Sequence, residues 1–163
     1  MLTRHRAIEF GEFILASGKK SSCYIDVKSA VTNPELLYAI ASEINRSQTF
    51  DVVAGVAVGG VPLAVATSMV AKKPFAIIRA AEKSHGKKEI IIGNVRDFNV
   101  LLVEDVTTTG GSAMYGINAL RDAGARVDRV MTVVDREQGA GEMLKKQGVI
   151  LIPLVKISEI LKE

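Results

Sequence analysis

The chain has 163 residues, 48% hydrophobic and 24% charged, a balance that suits one globular domain over 1–163 and excludes a disordered polymer. The net charge of +3 is mild, and no dense Lys/Arg stripe interleaved with aromatics argues for a nucleic-acid surface. No apolar run approaches the roughly 18 residues needed to span a bilayer, no leader pattern opens the chain, and the single cysteine, Cys23, excludes an internal disulfide; a cytoplasmic location is expected.

Residues 1–16 read as a helix, broken at Gly11, with Ile8, Phe13 and Ile14 on its apolar stripe. A loop over 17–22 leads to a short alternating strand, Cys23–Val27. Asn33-Pro34-Glu35 is a helix start, with Asn33 as N-cap and Pro34 at the first helical position. Leu36, Leu37, Ile40, Ala41 and Ile44 continue that helix. Val52–Val58 is a buried strand closed by Gly59-Gly60, and Val61–Lys72 returns as a helix with Pro62 in its first turn. Phe75–Ile78 is the next strand. The segment after it, Ala80 to Lys88, is polar and charged, with Glu89–Gly93 as its return arm or a strand; Arg79–Gly86 lacks apolar periodicity and reads as a mobile loop. Asn99–Val103 is a buried strand, followed by a helix through Ala113, Met114, Ile117 and Leu120 that Gly124 stops. Val127–Val134 is another strand, then a helix at 142–147, a strand at 149–152 and a terminal helix at 157–163.

Repeated strand–helix alternation predicts an α/β fold, a parallel sheet flanked by helices. Ligands of such sheets lie beyond the C-terminal strand ends. That rule gathers Gly59-Gly60, Arg79, Glu104-Asp105 and Asp135-Arg136 at one rim.

The most informative string is Val103-Glu104-Asp105-Val106-Thr107-Thr108-Thr109-Gly110-Gly111-Ser112. A small-residue turn before a helix lets backbone N–H groups and the positive helix end approach a phosphate. Thr107, Thr108, Thr109 and Ser112 add hydroxyls. Glu104 and Asp105 offer paired acceptors for neighbouring sugar hydroxyls. Gly59-Gly60 is a second, weaker candidate for a phosphate turn. No G-x-x-x-x-G-K-[ST], no strand-linked G-x-G-x-x-G and no G-x-S-x-G occurs, and one cysteine with two distant histidines provides no zinc set.

Val103–Ser112 resembles the phosphoribosyl-pyrophosphate (PRPP) signature of the type I phosphoribosyltransferases, and the flanking blocks resemble the orotate-using members. The likeness runs from about Phe10 to Gly141. It implies the type I phosphoribosyltransferase fold with a small N-terminal hood over roughly 1–30 and a catalytic loop over roughly 79–92. It implies PRPP binding by Arg79, Lys83, His85, Glu104, Asp105, Val106, Thr107, Thr108, Thr109, Gly110, Gly111 and Ser112, with catalytic roles for Lys83, His85 and Asp105. Orotate would meet Thr108, Arg136, Tyr24 and Ile25, and the Arg136 fork suits its planar carboxylate. Phe10–Phe13 and Ser17–Ser21, with Lys19 or Lys20, resemble the hood. The resemblance also implies Mg2+ held mainly through PRPP, with no dedicated protein metal site, and a homodimer whose catalytic loop crosses the interface. Gly59, Ala80 and Ala16 stand where some relatives carry lysine. A purine-using transferase and a non-catalytic PRPP sensor remain the alternatives. The 135–139 string and the hood argue against the first, Lys83 and His85 against the second.

Overall fold

The computed structural model describes residues 1–14, 20–80 and 90–161. In chain order they form β1 (Ile8–Ile14), β2 (Lys20–Ile25), α1 (Val27–Ala30), α2 (Pro34–Ser47), β3 (Val52–Val56), α3 (Gly60–Ala71) and β4 (Phe75–Ile78). There follow β5 (Ile91–Ile92), β6 (Val100–Thr107), α4 (Gly111–Asp122), β7 (Arg129–Asp135), α5 (Ala140–Lys145), β8 (Ile150–Lys156) and α6 (Ile157–Ile160).

The main sheet has the order β5-β4-β3-β6-β7-β8, parallel except for β5, which runs antiparallel to β4. From β3 the chain winds outward to β4; from β6 it winds the other way through β7 to β8. The switch point therefore falls between β3 and β6, where an open α/β sheet leaves a crevice for a ligand.

Both faces of the sheet are covered. Val53, Leu101 and Val103 pack with Leu36, Ile40 and Ile44 of α2 and Leu63 of α3. Val52, Ala54, Val56, Val100 and Leu102 point the other way, onto Ala113, Ile117 and Leu120 of α4 and Leu144 of α5. The period-2 alternation along β3 and β6 thus divides into two aliphatic cores. Among the described residues no helix is long and apolar enough to cross a membrane.

Asn33 caps α2 as expected: its Oδ1 accepts the N–H of Glu35 at 3.0 Å and of Leu36 at 3.2 Å. Asn33→Ala should cost about 1 kcal/mol, read as a lower urea midpoint at unchanged m-value.

The expected N-terminal helix is instead β1, paired antiparallel with β2 in the register Ile8↔Ile25, Phe10↔Cys23 and Phe13↔Ser21, with an irregularity between Phe10 and Phe13. Three apolar residues beside a glycine are a weak helical signal, and strand pairing overrides it. The second strand also ends earlier than expected: Asp26 caps α1, which begins at Val27.

Candidate functional site

β6 runs farther than its apolar stretch predicts. Glu104, Asp105 and Thr107 are strand residues, with Glu104 opposite Thr132 and Thr107 opposite Asp135 on β7. The turn proper begins at Thr108. Thr107 is buried, and its hydroxyl donates to Asp135 Oδ1 at 3.3 Å. The same oxygen accepts the N–H of Glu137 at 3.0 Å. The Thr107 side chain thus braces the 135–137 turn, because a residue inside a paired strand is committed to its neighbour.

The Thr108–Gly110 turn leads into α4 with Gly110 at the N-cap, and no side chain caps that helix. The Ser112 hydroxyl donates to Glu104 Oε1 at 2.8 Å. This contact ties the start of the helix to the strand that precedes it.

A cleft of about 360 Å³ opens here. Glu104, Asp105, Val106, Thr108 and Ser112 form one wall; Tyr24, Ile25 and the start of α1 form the other. Tyr24 is exposed toward solvent and its ring lies 5.6 Å from that of Phe13 on β1. Glu104 is only 4% exposed. Burial pushes its carboxyl up to about 7, the Ser112 hydroxyl opposes that rise, and the neighbouring Asp105 charge adds to it. Asp105 Oδ2 lies 3.9 Å from Lys28 Nζ.

Behind Asp105 is the Gly59-Gly60 turn. A Cβ at position 59 would stand 2.3 Å from Asp105 Oδ1, so the glycine is what gives that carboxylate its place. The two Gly-rich strand ends are therefore one construction, meeting at the β3/β6 switch point.

The other expected residues are distributed around this centre. Arg79 follows β4; its N–H donates to the Ile90 carbonyl, and its own carbonyl accepts the Tyr115 hydroxyl at 2.9 Å. Arg79 lines a separate depression with Ile90–Arg96. Arg136 sits just past β7, its N–H donating to the Thr107 carbonyl at 2.9 Å, and its side chain is not among those lining the cleft. Thr109 and Gly110, in the turn, and Gly111, the first residue of α4, lie beyond the cleft wall. Lys83 and His85 lie outside the described residues, as does Lys19. Asp26 and Lys28 were missed. The signal was an Asp-x-Lys directly after a strand, masked by reading that strand through Val27.

The Phosphoribosyl transferase domain family matches residues 30–155. The orotate phosphoribosyltransferase of Methanocorpusculum labreanum is 59% identical over 161 residues, 99% of this chain and 95% of that protein. The chain belongs to the orotate phosphoribosyltransferase family. Among solved orotate phosphoribosyltransferases, that of Aeropyrum pernix superposes with a TM-score of 0.83 at 32% identity, covering 99% of this chain and 94% of the other. The Mycobacterium tuberculosis enzyme in complex with 5-phospho-alpha-D-ribosyl 1-diphosphate gives 0.74 at 29% identity, covering 84% and 82%. Both are likenesses to the type I phosphoribosyltransferase fold.

Proposed function

We propose that this chain transfers the phosphoribosyl group of PRPP to N1 of orotate, giving orotidine 5'-monophosphate and pyrophosphate, a step of pyrimidine nucleotide synthesis in the cytoplasm. The observation that carries the reading is the shared cleft. Two adjacent carboxylates, a helix start without a side-chain cap and a wall formed by Tyr24 and Ile25 meet at the sheet's switch point.

Glu104 and Asp105 accept the ribose 2- and 3-hydroxyls. Thr108–Ser112 hold the 5-phosphate through turn N–H groups and hydroxyls. The Gly59-Gly60 backbone lies beside Asp105 and suits the diphosphate. As the bond at C1 breaks, positive charge grows on the ribose ring while negative charge grows on the leaving group. The protein's work is positioning and charge stabilisation. The acidic pair lies on the ribose side of that separation; Arg79, Lys83 and His85 neutralise the diphosphate. Thr108 and Arg136 orient orotate between the hood, residues 1–30, and the sheet. A homodimer sharing the 79–92 loop completes the site.

Among the described residues no group of three or more His, Cys, Asp or Glu side chains forms a metal cage. The hard oxygens of Glu104 and Asp105 would suit Mg2+ held mainly through PRPP, and the ion would supply charge neutralisation to the diphosphate.

The test is loss of orotate absorbance with PRPP and Mg2+, run beside adenine, guanine and hypoxanthine. Consumption of orotate alone is expected. Turnover of a purine base instead, or PRPP binding with no turnover of any base, would replace this reading.

A further inference from the structure

Among the described residues that line the cleft, Lys28 is the only cation. It stands at the second position of α1, and the N-cap of that helix fixes where it points. Asp26 accepts the Ser29 N–H at 3.0 Å and the Ser29 hydroxyl at 2.7 Å. Val27 and Ala30 are buried, which turns Lys28 away from the core. The Lys28 side chain is 64% exposed, with its ammonium 3.9 Å from Asp105 Oδ2. An exposed pair at that separation contributes between about 0 and 1 kcal/mol to the fold. Stability therefore does not explain a lysine aimed into the cleft.

The same carboxylate explains it better. Asp105 lies between two features: the Lys28 ammonium approaches Oδ2, and the Gly59 Cα approaches so closely that a Cβ there would be 2.3 Å from Oδ1. The turn at 59–60 brings no charged side chain. A polyanion resting on its backbone would face Asp105 unless a cation were near, and Lys28 is the cation next to Asp105. A lysine ammonium is a compact charge on a flexible stem, able to exchange one oxygen partner for another.

We propose that Lys28 is a substrate-contacting residue whose ammonium moves from Asp105 to the diphosphate of PRPP on the Gly59-Gly60 turn, freeing Asp105 for the ribose hydroxyls. This rests on the PRPP reading above. In the empty cleft Lys28 holds the acidic pair in check; in the filled cleft it binds the leaving group. A charge-assisted contact of this kind is worth roughly tenfold to a hundredfold in affinity.

Lys28→Met keeps the apolar stem and removes the charge; Lys28→Arg keeps the charge. The Met variant should retain the wild-type urea midpoint. Its KM for PRPP and its Kd for magnesium pyrophosphate by calorimetry should both rise about tenfold or more, with the KM for orotate changed less than about twofold. The Arg variant should recover most of both losses. Unchanged pyrophosphate affinity in Lys28→Met overturns the proposal, and so does a rise confined to the KM for orotate. Wild-type protein assayed alongside separates the two levels. Orotate turnover by wild type with pyrophosphate binding intact in Lys28→Met removes Lys28 alone. Wild type that neither binds pyrophosphate nor consumes orotate removes the PRPP reading and this proposal together.

Discussion

Gly55→Ala should destabilise the protein by about 3 kcal/mol and raise the KM for PRPP in the molecules that still fold. Gly55 sits in the middle of the sheet, opposite Ile77 on β4 and Val103 on β6. A Cβ there would lie 2.2 Å from the Gly60 carbonyl oxygen and 2.4 Å from its carbon. Those are backbone atoms, and no rotamer change moves them. The crowding is mutual, since a Cβ on Gly60 would come 2.6 Å from the Val103 carbonyl oxygen and 2.9 Å from the Gly55 Cα. Three stretches of main chain, from β3, β6 and the first turn of α3, touch without side chains between them. To admit a methyl group, α3 must lift at its start, and Gly59 travels with it away from Asp105. Stability and PRPP binding should therefore fall together. Urea titration reads the first and a PRPP saturation curve the second. Gly141→Ala is the control. Its Cβ meets nothing within 4 Å, and it lies inside α5, where alanine is favoured over glycine. A wild-type midpoint for Gly55→Ala would mean that the close approach is not there.

That triple contact marks the limit of what the sequence discloses. The glycines at 59 and 60 are visible as a turn signal, and the strand–helix alternation around them predicts the parallel sheet. Asn33-Pro34 states its helix start by local chemistry alone. Glu104-Asp105 and the Thr/Gly run are legible for the same reason: the chemistry is contiguous in the chain. What stayed hidden depends on partners far apart. β1 is a strand because Lys20–Ile25 pairs with it, not because Ile8–Ile14 prefers to be one. Thr107 looks like a fourth phosphate hydroxyl until β7 supplies Asp135 beside it. Lys28 looks like an ordinary surface lysine until Asp105, distant in sequence, stands within ion-pair reach. In each case the deciding contact is tertiary, and residue patterns at short range carry no record of it.

Glu104→Gln should remove a pH dependence of stability and impose a defect in PRPP use. In the unfolded chain this carboxyl ionises at its ordinary value of 4.5; in the fold, burial raises it to about 7. Between those values the folded state keeps a proton that the unfolded state has released. Stability from this group therefore falls as pH rises from about 4.5 to about 7 and is level above that, a span of about 3 kcal/mol. Glutamine has no proton to lose. Measured by urea unfolding from pH 4 to 8, the stability of Glu104→Gln relative to wild type should rise by about that amount across the interval, and parallel pH curves would refute the assignment. Asp105, Lys28 and Ser112 face the same carboxyl and remain in the variant, so the difference isolates Glu104. The gain in stability should come with a loss of function. An ionised carboxylate accepts hydrogen bonds from sugar hydroxyls more strongly than an amide oxygen does. Wild-type kcat/KM for PRPP should accordingly climb through about pH 7, the value at which Glu104 ionises, as more of the enzyme carries the charge. Glu104→Gln should lie about tenfold to a hundredfold lower at pH 8 and lack that climb. Opposite signs for stability and turnover are expected where a buried charge waits for its ligand. The fold bears the desolvation of Glu104, relieved in part by Ser112, and the ribose hydroxyls supply the missing partners only when PRPP arrives.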